Sequence, residues 1–168
     1  MRVLYLHGYQ GQPRKQMIDY LENMGFDVIA PHIDYDHEPN VFIDLLEEEY
    51  DAIVGNSLGG YIGYYLSEWK MVPAVLVNPP LFMDLRLKVN QPTPEMIDKS
   101  QKGRHLSMGK KHIVVGMDDN VVDPFKVIEW LFENKPNADL KVVDGMGHNY
   151  EYKQLFENID CIVGKWLI

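Results

Sequence analysis

Short apolar runs alternate with amphipathic stretches along the whole chain, and the two periods predict its elements. A strand is expected over Arg2–Leu6, with His7–Gly11 as the following loop. A helix from Pro13 or Arg14 to Met24 follows, with Met17, Ile18, Leu21 and Met24 on one face and Gly25 as its stop. The next strand, Asp27–Ala30, ends at Pro31, and the acidic, histidine-bearing loop His32–Pro39 leads into a helix over Val41–Glu49. Ala52–Val54 reads as a buried strand, Gly55–Gly60 as a turn, and Tyr61–Trp69 as a helix. Strands over Ala74–Val77, Lys111–Val115 and Leu140–Val143 come next, with helices over Phe125–Glu133 and Tyr150–Leu167. Between Pro79 and Lys110 the pattern is lost, and this stretch reads as an irregular insertion near the site. It offers Phe82, Met83, Leu85, Met96 and Met108 as candidate pocket residues.

Strands alternating with helices predict an α/β fold, a three-layer α/β/α sandwich around a parallel sheet, because right-handed crossovers place helices on both faces. In such sheets ligands gather beyond the carboxyl ends of the strands. The chemistry should therefore lie in the loops His7–Gly11, His32–Pro39, Asn56–Gly59, Asn78–Lys110, Gly116–Pro124 and Asp144–His148.

Composition narrows the classes. At 168 residues the chain is expected to form one domain over residues 1–168, with the insertion at about 79–110 inside it. A net charge of −9 argues against nucleic acid or an anionic membrane as the partner. The single cysteine, Cys161, has no internal partner, which suits a reducing compartment, and its apolar neighbours Ile162 and Val163 place it in the core. Met1-Arg2 runs directly into a strand without a leader pattern, and no apolar run reaches membrane-spanning length. A cytoplasmic location is the expectation, and oligomeric state is left open.

The candidate chemistry centres on Gly55-Asn56-Ser57-Leu58-Gly59-Gly60, a G-x-S-x-G turn between strand and helix. In this setting a sharp, strained turn projects the serine hydroxyl from the sheet edge. Side chains at Gly55 and Gly59 would collide with the neighbouring helix and strand. The Leu58 amide, at the helix start, becomes a candidate oxyanion donor. The turn lacks both the G-x-G-x-x-G spacing and the lysine of phosphate-binding loops.

Two other loops carry matching pieces: Asp118 and Asp119 after the fifth strand, and His148 after the sixth. A serine hydroxyl is a poor nucleophile until an imidazole takes its proton, and that imidazole needs an acid to fix its tautomer. Either aspartate could be that acid, the other then capping the turn, with Asp84 as a third candidate. Asp123 before Pro124 reads as a helix N-cap. The loop after the first strand should supply a second oxyanion donor, the Tyr9 amide, with the Tyr9 ring at the pocket mouth and His7 as a buried support. His32, Asp34, Asp36, His37 and Glu38 match no compact metal-binding spacing, so no metal is expected there.

These motifs together resemble the α/β-hydrolase superfamily and, within it, the small cap-less YqiA-like esterases. The resemblance is carried by Leu4-Tyr5-Leu6-His7-Gly8-Tyr9, Asn56-Ser57-Leu58-Gly59-Gly60-Tyr61, Val72-Pro73-Ala74-Val75-Leu76-Val77-Asn78-Pro79 and Gly145-Met146-Gly147-His148-Asn149-Tyr150. It implies hydrolysis of short-chain carboxylic esters or thioesters through Ser57, His148 and an aspartate, without a cofactor. Related sequences carry the acid at the last position of G-x-x-D, which selects Asp119 over Asp118. The two N-terminal strands of larger relatives are missing, so a minimal six-stranded parallel sheet of order 2-1-3-4-5-6 is expected. The alternative is a non-catalytic binding protein that keeps the hydrolase fold.

Overall fold

The computed structural model describes residues 1–38, 40–85, 109–134 and 136–167. Six strands form one parallel sheet: β1 (Arg2–Leu6), β2 (Asp27–Ile29), β3 (Ala52–Asn56), β4 (Ala74–Val77), β5 (Lys111–Gly116) and β6 (Ala138–Val143), in the order β2-β1-β3-β4-β5-β6. The helices are α1 (Lys15–Asn23), α2 (Val41–Glu47), α3 (Leu58–Lys70), α4 (Pro124–Asn134) and α5 (Tyr152–Val163), the last followed by a 3₁₀ turn over Gly164–Leu167. The strand order and the parallel pairing are those expected from the sequence.

The strands read as continuous apolar runs because both faces of the sheet are covered. Successive side chains point to opposite faces. Val3, Tyr5, Val54, Val75 and Val77 pack on α1 and α5 through Met17, Leu21, Leu155 and Ile159. Leu4, Leu6, Ile53, Leu76 and Ile113 pack on α2, α3 and α4 through Phe42, Leu45, Ile62, Leu66 and Val127. The result is a three-layer α/β/α sandwich, with β3 and β4 at its centre.

Three expectations need correction. Cys161 is exposed, because the buried stripe of α5 is Leu155, Ile159 and Val163, a four-residue repeat that leaves Cys161 out of phase. The α3 helix begins at Leu58 rather than Tyr61, since Gly59 and Gly60 sit in its first turn as contact residues rather than as breakers. The β3 strand runs on to Asn56 because Gly55 and Asn56 pair with Leu76 and Val77 of β4. Of the insertion, residues 86–108 lie outside the described residues, and Met96 and Met108 with them. Phe82 and Leu85 pack against the core beside α3, and Met83 is exposed. Among the described residues no helix is long and apolar enough to cross a membrane.

Candidate active site

The turn between β3 and α3 holds Ser57 at φ 52°, ψ −121°, a region that a residue with a Cβ enters only under constraint. The constraint is visible on both sides. The Ser57 amide donates to the Val77 carbonyl of β4 at 2.9 Å, and its own carbonyl accepts from Tyr61 at 2.9 Å. A Cβ on Gly55 would lie 2.5 Å from the Gly59 carbonyl oxygen and 2.8 Å from the Gly60 Cα. One on Gly59 would overlap the carbonyl oxygens of Leu6 and His7. Both glycines are therefore required by backbone approach: Gly55 admits the helix and Gly59 lets that helix start against β1.

The β5 and β6 loops bring His148 and Asp119 together. The His148 ring lies with Nδ1 2.7 Å from Asp119 Oδ2, its side chain 16% exposed and that of Asp119 only 1%. The other carboxylate oxygen, Oδ1, accepts from the amides of Val121 and Val122, each at 2.8 Å. Burial alone would push the Asp119 carboxyl up. The His148 hydrogen bond and the Val122 and Val121 amides outweigh it, holding the group below its ordinary value. The sequence divided pairing and turn-capping between two aspartates, whereas Asp119 does both. Asp118 is exposed, and its amide donates to the Met146 carbonyl at 3.1 Å. Asp84 is exposed beyond β4. Asp123 caps α4 through the Phe125 amide at 3.0 Å, as expected.

Asn78, at the start of the loop after β4, is a supporting residue to which the sequence assigned no role. It is 1% exposed and has a positive φ of 48°. Its Oδ1 accepts from the Gly116 amide at 2.8 Å, and its Nδ2 donates to the Gly147 carbonyl at 3.4 Å. One side chain thus links the end of β4 to the loops that carry Asp119 and His148. Asparagine tolerates the left-handed region, and that property next to a strand end was the available signal.

The β1 loop sits against Ser57: a Cβ on Gly8 would lie 3.1 Å from that of Ser57. His7 is buried and fixes this loop. Its Nε2 accepts from the Ile33 amide at 3.0 Å, which leaves the proton on Nδ1 to be donated to the Gly8 carbonyl at 2.8 Å. The Gly11 amide donates to the same carbonyl at 3.1 Å. Because the peptide is planar and trans, the Tyr9 N–H points opposite to that carbonyl. Leu58 is the first residue of α3, where helix geometry provides no intrahelical acceptor for its amide.

A cavity of about 390 Å³ opens at this edge, lined by Ser57, His148, Gly8, Tyr9, Tyr5 and Tyr150, among others. Tyr150 donates to Asn56 Oδ1 at 2.9 Å, tying the His148 loop to the residue before Ser57. Among the described residues the Ser57 hydroxyl makes no hydrogen bond, to His148 or otherwise. The loop at residues 32–38 closes largely on itself. The Asp34 carboxylate pairs with His37 Nδ1 at 2.8 Å, Glu38 accepts from the Asp34 amide at 3.0 Å, and Asp36 accepts from the Tyr9 hydroxyl at 2.9 Å. No group of three or more His, Cys, Asp or Glu side chains suited to a metal ion occurs among the described residues.

Sheet order and the strained turn after the third strand define an α/β-hydrolase fold. The family model described as Uncharacterised protein family (UPF0227) matches residues 2–93, more than half of the chain, and the chain belongs to that family. Among solved structures, it is similar to a variant of tomato methylketone synthase I, with TM-score 0.67, 12% identity, and 98% of each chain covered. A protein assigned to the alpha/beta hydrolase superfamily from Xanthomonas campestris pv. campestris matches with TM-score 0.64 and 21% identity, covering 99% of this chain and 97% of that one. A monoacylglycerol lipase from Paleococcus ferrophilus matches with TM-score 0.62 and 18% identity, covering 99% and 93%. At these identities the likeness is one of fold.

Proposed function

We propose that this protein is a serine hydrolase that cleaves small carboxylic esters or thioesters through an acyl-enzyme on Ser57. The observation that carries the proposal is the His148–Asp119 hydrogen bond at 2.7 Å, with His148 lining the same cavity as Ser57. With Nδ1 donating to Asp119, the imidazole presents Nε2 as the base. Nε2 takes the Ser57 proton as Oγ attacks the carbonyl carbon, and the Tyr9 and Leu58 amides receive the oxyanion. Collapse of the tetrahedral intermediate expels the alcohol or thiol, which leaves with the proton from His148. A water, deprotonated by His148, then releases the acid and restores Ser57. Asp119, kept ionised, stabilises the imidazolium at both steps.

The fold supports the class of reaction only by analogy, the lipase from Paleococcus ferrophilus being one host of the same architecture. The test is the Ser57→Ala variant, assayed on p-nitrophenyl butyrate and on a short-chain acyl thioester. Turnover should fall about 10⁴-fold or more with the fold retained. Unchanged turnover would make the turn a structural feature only.

A further inference from the structure

The wall of the cavity differs in charge from the rest of the molecule. The chain has 25 acidic against 16 basic residues, yet no Asp or Glu lines the cavity among the described residues. Asp119 stands behind His148, and Asp36 accepts from the Tyr9 hydroxyl at the rim. Apart from the histidines, the ionisable wall residues are Arg14 and the tyrosines Tyr5, Tyr9, Tyr150 and Tyr152.

Arg14 is fixed at its backbone and uncommitted at its head. It occupies the N-cap of α1 in extended conformation, its carbonyl accepting from Met17 at 3.1 Å and Ile18 at 3.2 Å. The guanidinium is exposed and forms no ion pair among the described residues. It lies close enough to the tyrosine cluster to be felt there. Burial pushes the Tyr5, Tyr150 and Tyr152 hydroxyls up, and the Arg14 charge acts against that rise in all three. An arginine fork matches carboxylate and phosphate oxygens.

Resting on the serine-hydrolase reading above, we propose that Arg14 is the anion subsite of this cavity, so that the preferred ester or thioester carries a carboxylate or phosphate beside the cleaved bond. The negative charge of the whole molecule disfavours such a substrate at long range, and Arg14, on a wall with no carboxylate among the described residues, selects it at contact.

The test uses matched substrate pairs. For an anion on the acyl side, p-nitrophenyl hemiglutarate is compared with p-nitrophenyl valerate. For one on the leaving side, S-acetylmercaptoacetate is compared with S-acetylethanethiol. In the wild type at least one charged member should exceed its neutral partner by about tenfold or more in kcat/KM, chiefly through KM. Arg14→Gln should reduce that charged-to-neutral ratio by about tenfold, and Arg14→Lys should restore part of it. Inhibition by glutarate or by inorganic phosphate separates the two anion types. Ratios at or below one for both pairs, or a ratio unchanged in Arg14→Gln, would overturn the proposal. If none of the four substrates is turned over, the hydrolase reading fails on its own. Calorimetric titration of glutarate and phosphate into wild type and Arg14→Gln then decides the subsite: binding that needs Arg14 supports it, and binding absent or independent of Arg14 overturns it.

Discussion

His148 Nδ1 lies 2.7 Å from Asp119 Oδ2, while the second oxygen of the same carboxylate holds the Val121 and Val122 amides. The group that fixes the imidazole is therefore fixed itself, by backbone rather than by other side chains. Such support keeps a hydrogen bond in one geometry through proton transfer.

This division of oxygens separates two substitutions. Asp119→Asn keeps an oxygen for the two amides but no longer holds the His148 tautomer, so turnover should fall by up to about 10⁴ with little change in melting temperature. Asp119→Ala should add a stability loss on the order of 1–3 kcal/mol, because two buried amides lose their acceptor. Asp118→Asn, at an exposed side chain, should stay within a few-fold of wild type. Steady-state kinetics with thermal melts on the three variants check this, and a crippled Asp118→Asn beside a mild Asp119→Asn would reverse the assignment.

Asn78 should behave as a positioning residue. Asn78→Ala leaves the buried Gly116 amide without its acceptor, costing about 1–3 kcal/mol. It also frees the His148 loop at the Gly147 carbonyl. Lower kcat with KM little changed is expected, and Asn78→Asp, which keeps the acceptor, should recover stability more than kcat. Parallel losses of kcat and stability in both variants would reduce the role to folding alone.

Much of this arrangement was legible in the sequence, and the parts that were not share a physical cause. The parallel sheet with helices on both faces followed from alternating elements and crossover handedness, whereas the strand order followed from the resemblance to α/β-hydrolases. The start of α3 was misplaced because glycine is a poor helix former in isolation, and only the approach of β1 and β3 explains Gly59 and Gly55. Cys161 was misplaced by weighing its neighbours rather than the four-residue repeat Leu155, Ile159 and Val163. The link through Asn78 joins three strand ends, and its local signal, an asparagine at a strand end, does not show which loops it reaches. Likewise, nothing local shows that both oxygens of Asp119 are used.

Gly59→Ala tests the close approach. Its Cβ would overlap the Leu6 and His7 carbonyl oxygens, which are backbone and cannot rotate away. Destabilisation on the order of 3 kcal/mol or more is expected, at or beyond the upper end for overpacked sites. Denaturant unfolding measures it, and near-wild-type stability would contradict the packing described.

His7 gives a pH dependence with a defined sign. Burial, the largest influence, lowers its pKa from 6.5, although the Gly8 carbonyl acts to raise it. A group whose folded pKa is depressed contributes stability above its unfolded value, and that contribution is lost as pH falls through the folded value. The His7 contribution should therefore decline as pH drops below about 6.5, the ordinary histidine value. NMR titration of the ring should show a midpoint below that value and the proton on Nδ1. A midpoint at or above it would contradict the buried, neutral assignment.

The central claim is that Ser57 is the nucleophile. The most direct measurement is intact-mass analysis, with peptide mapping, after brief exposure to a fluorophosphonate. A single adduct on the peptide containing Ser57, absent from Ser57→Ala and slowed in His148→Ala, is the predicted result. A folded wild-type protein that takes up no adduct, or Ser57→Ala protein that is labelled at the wild-type rate, would contradict it.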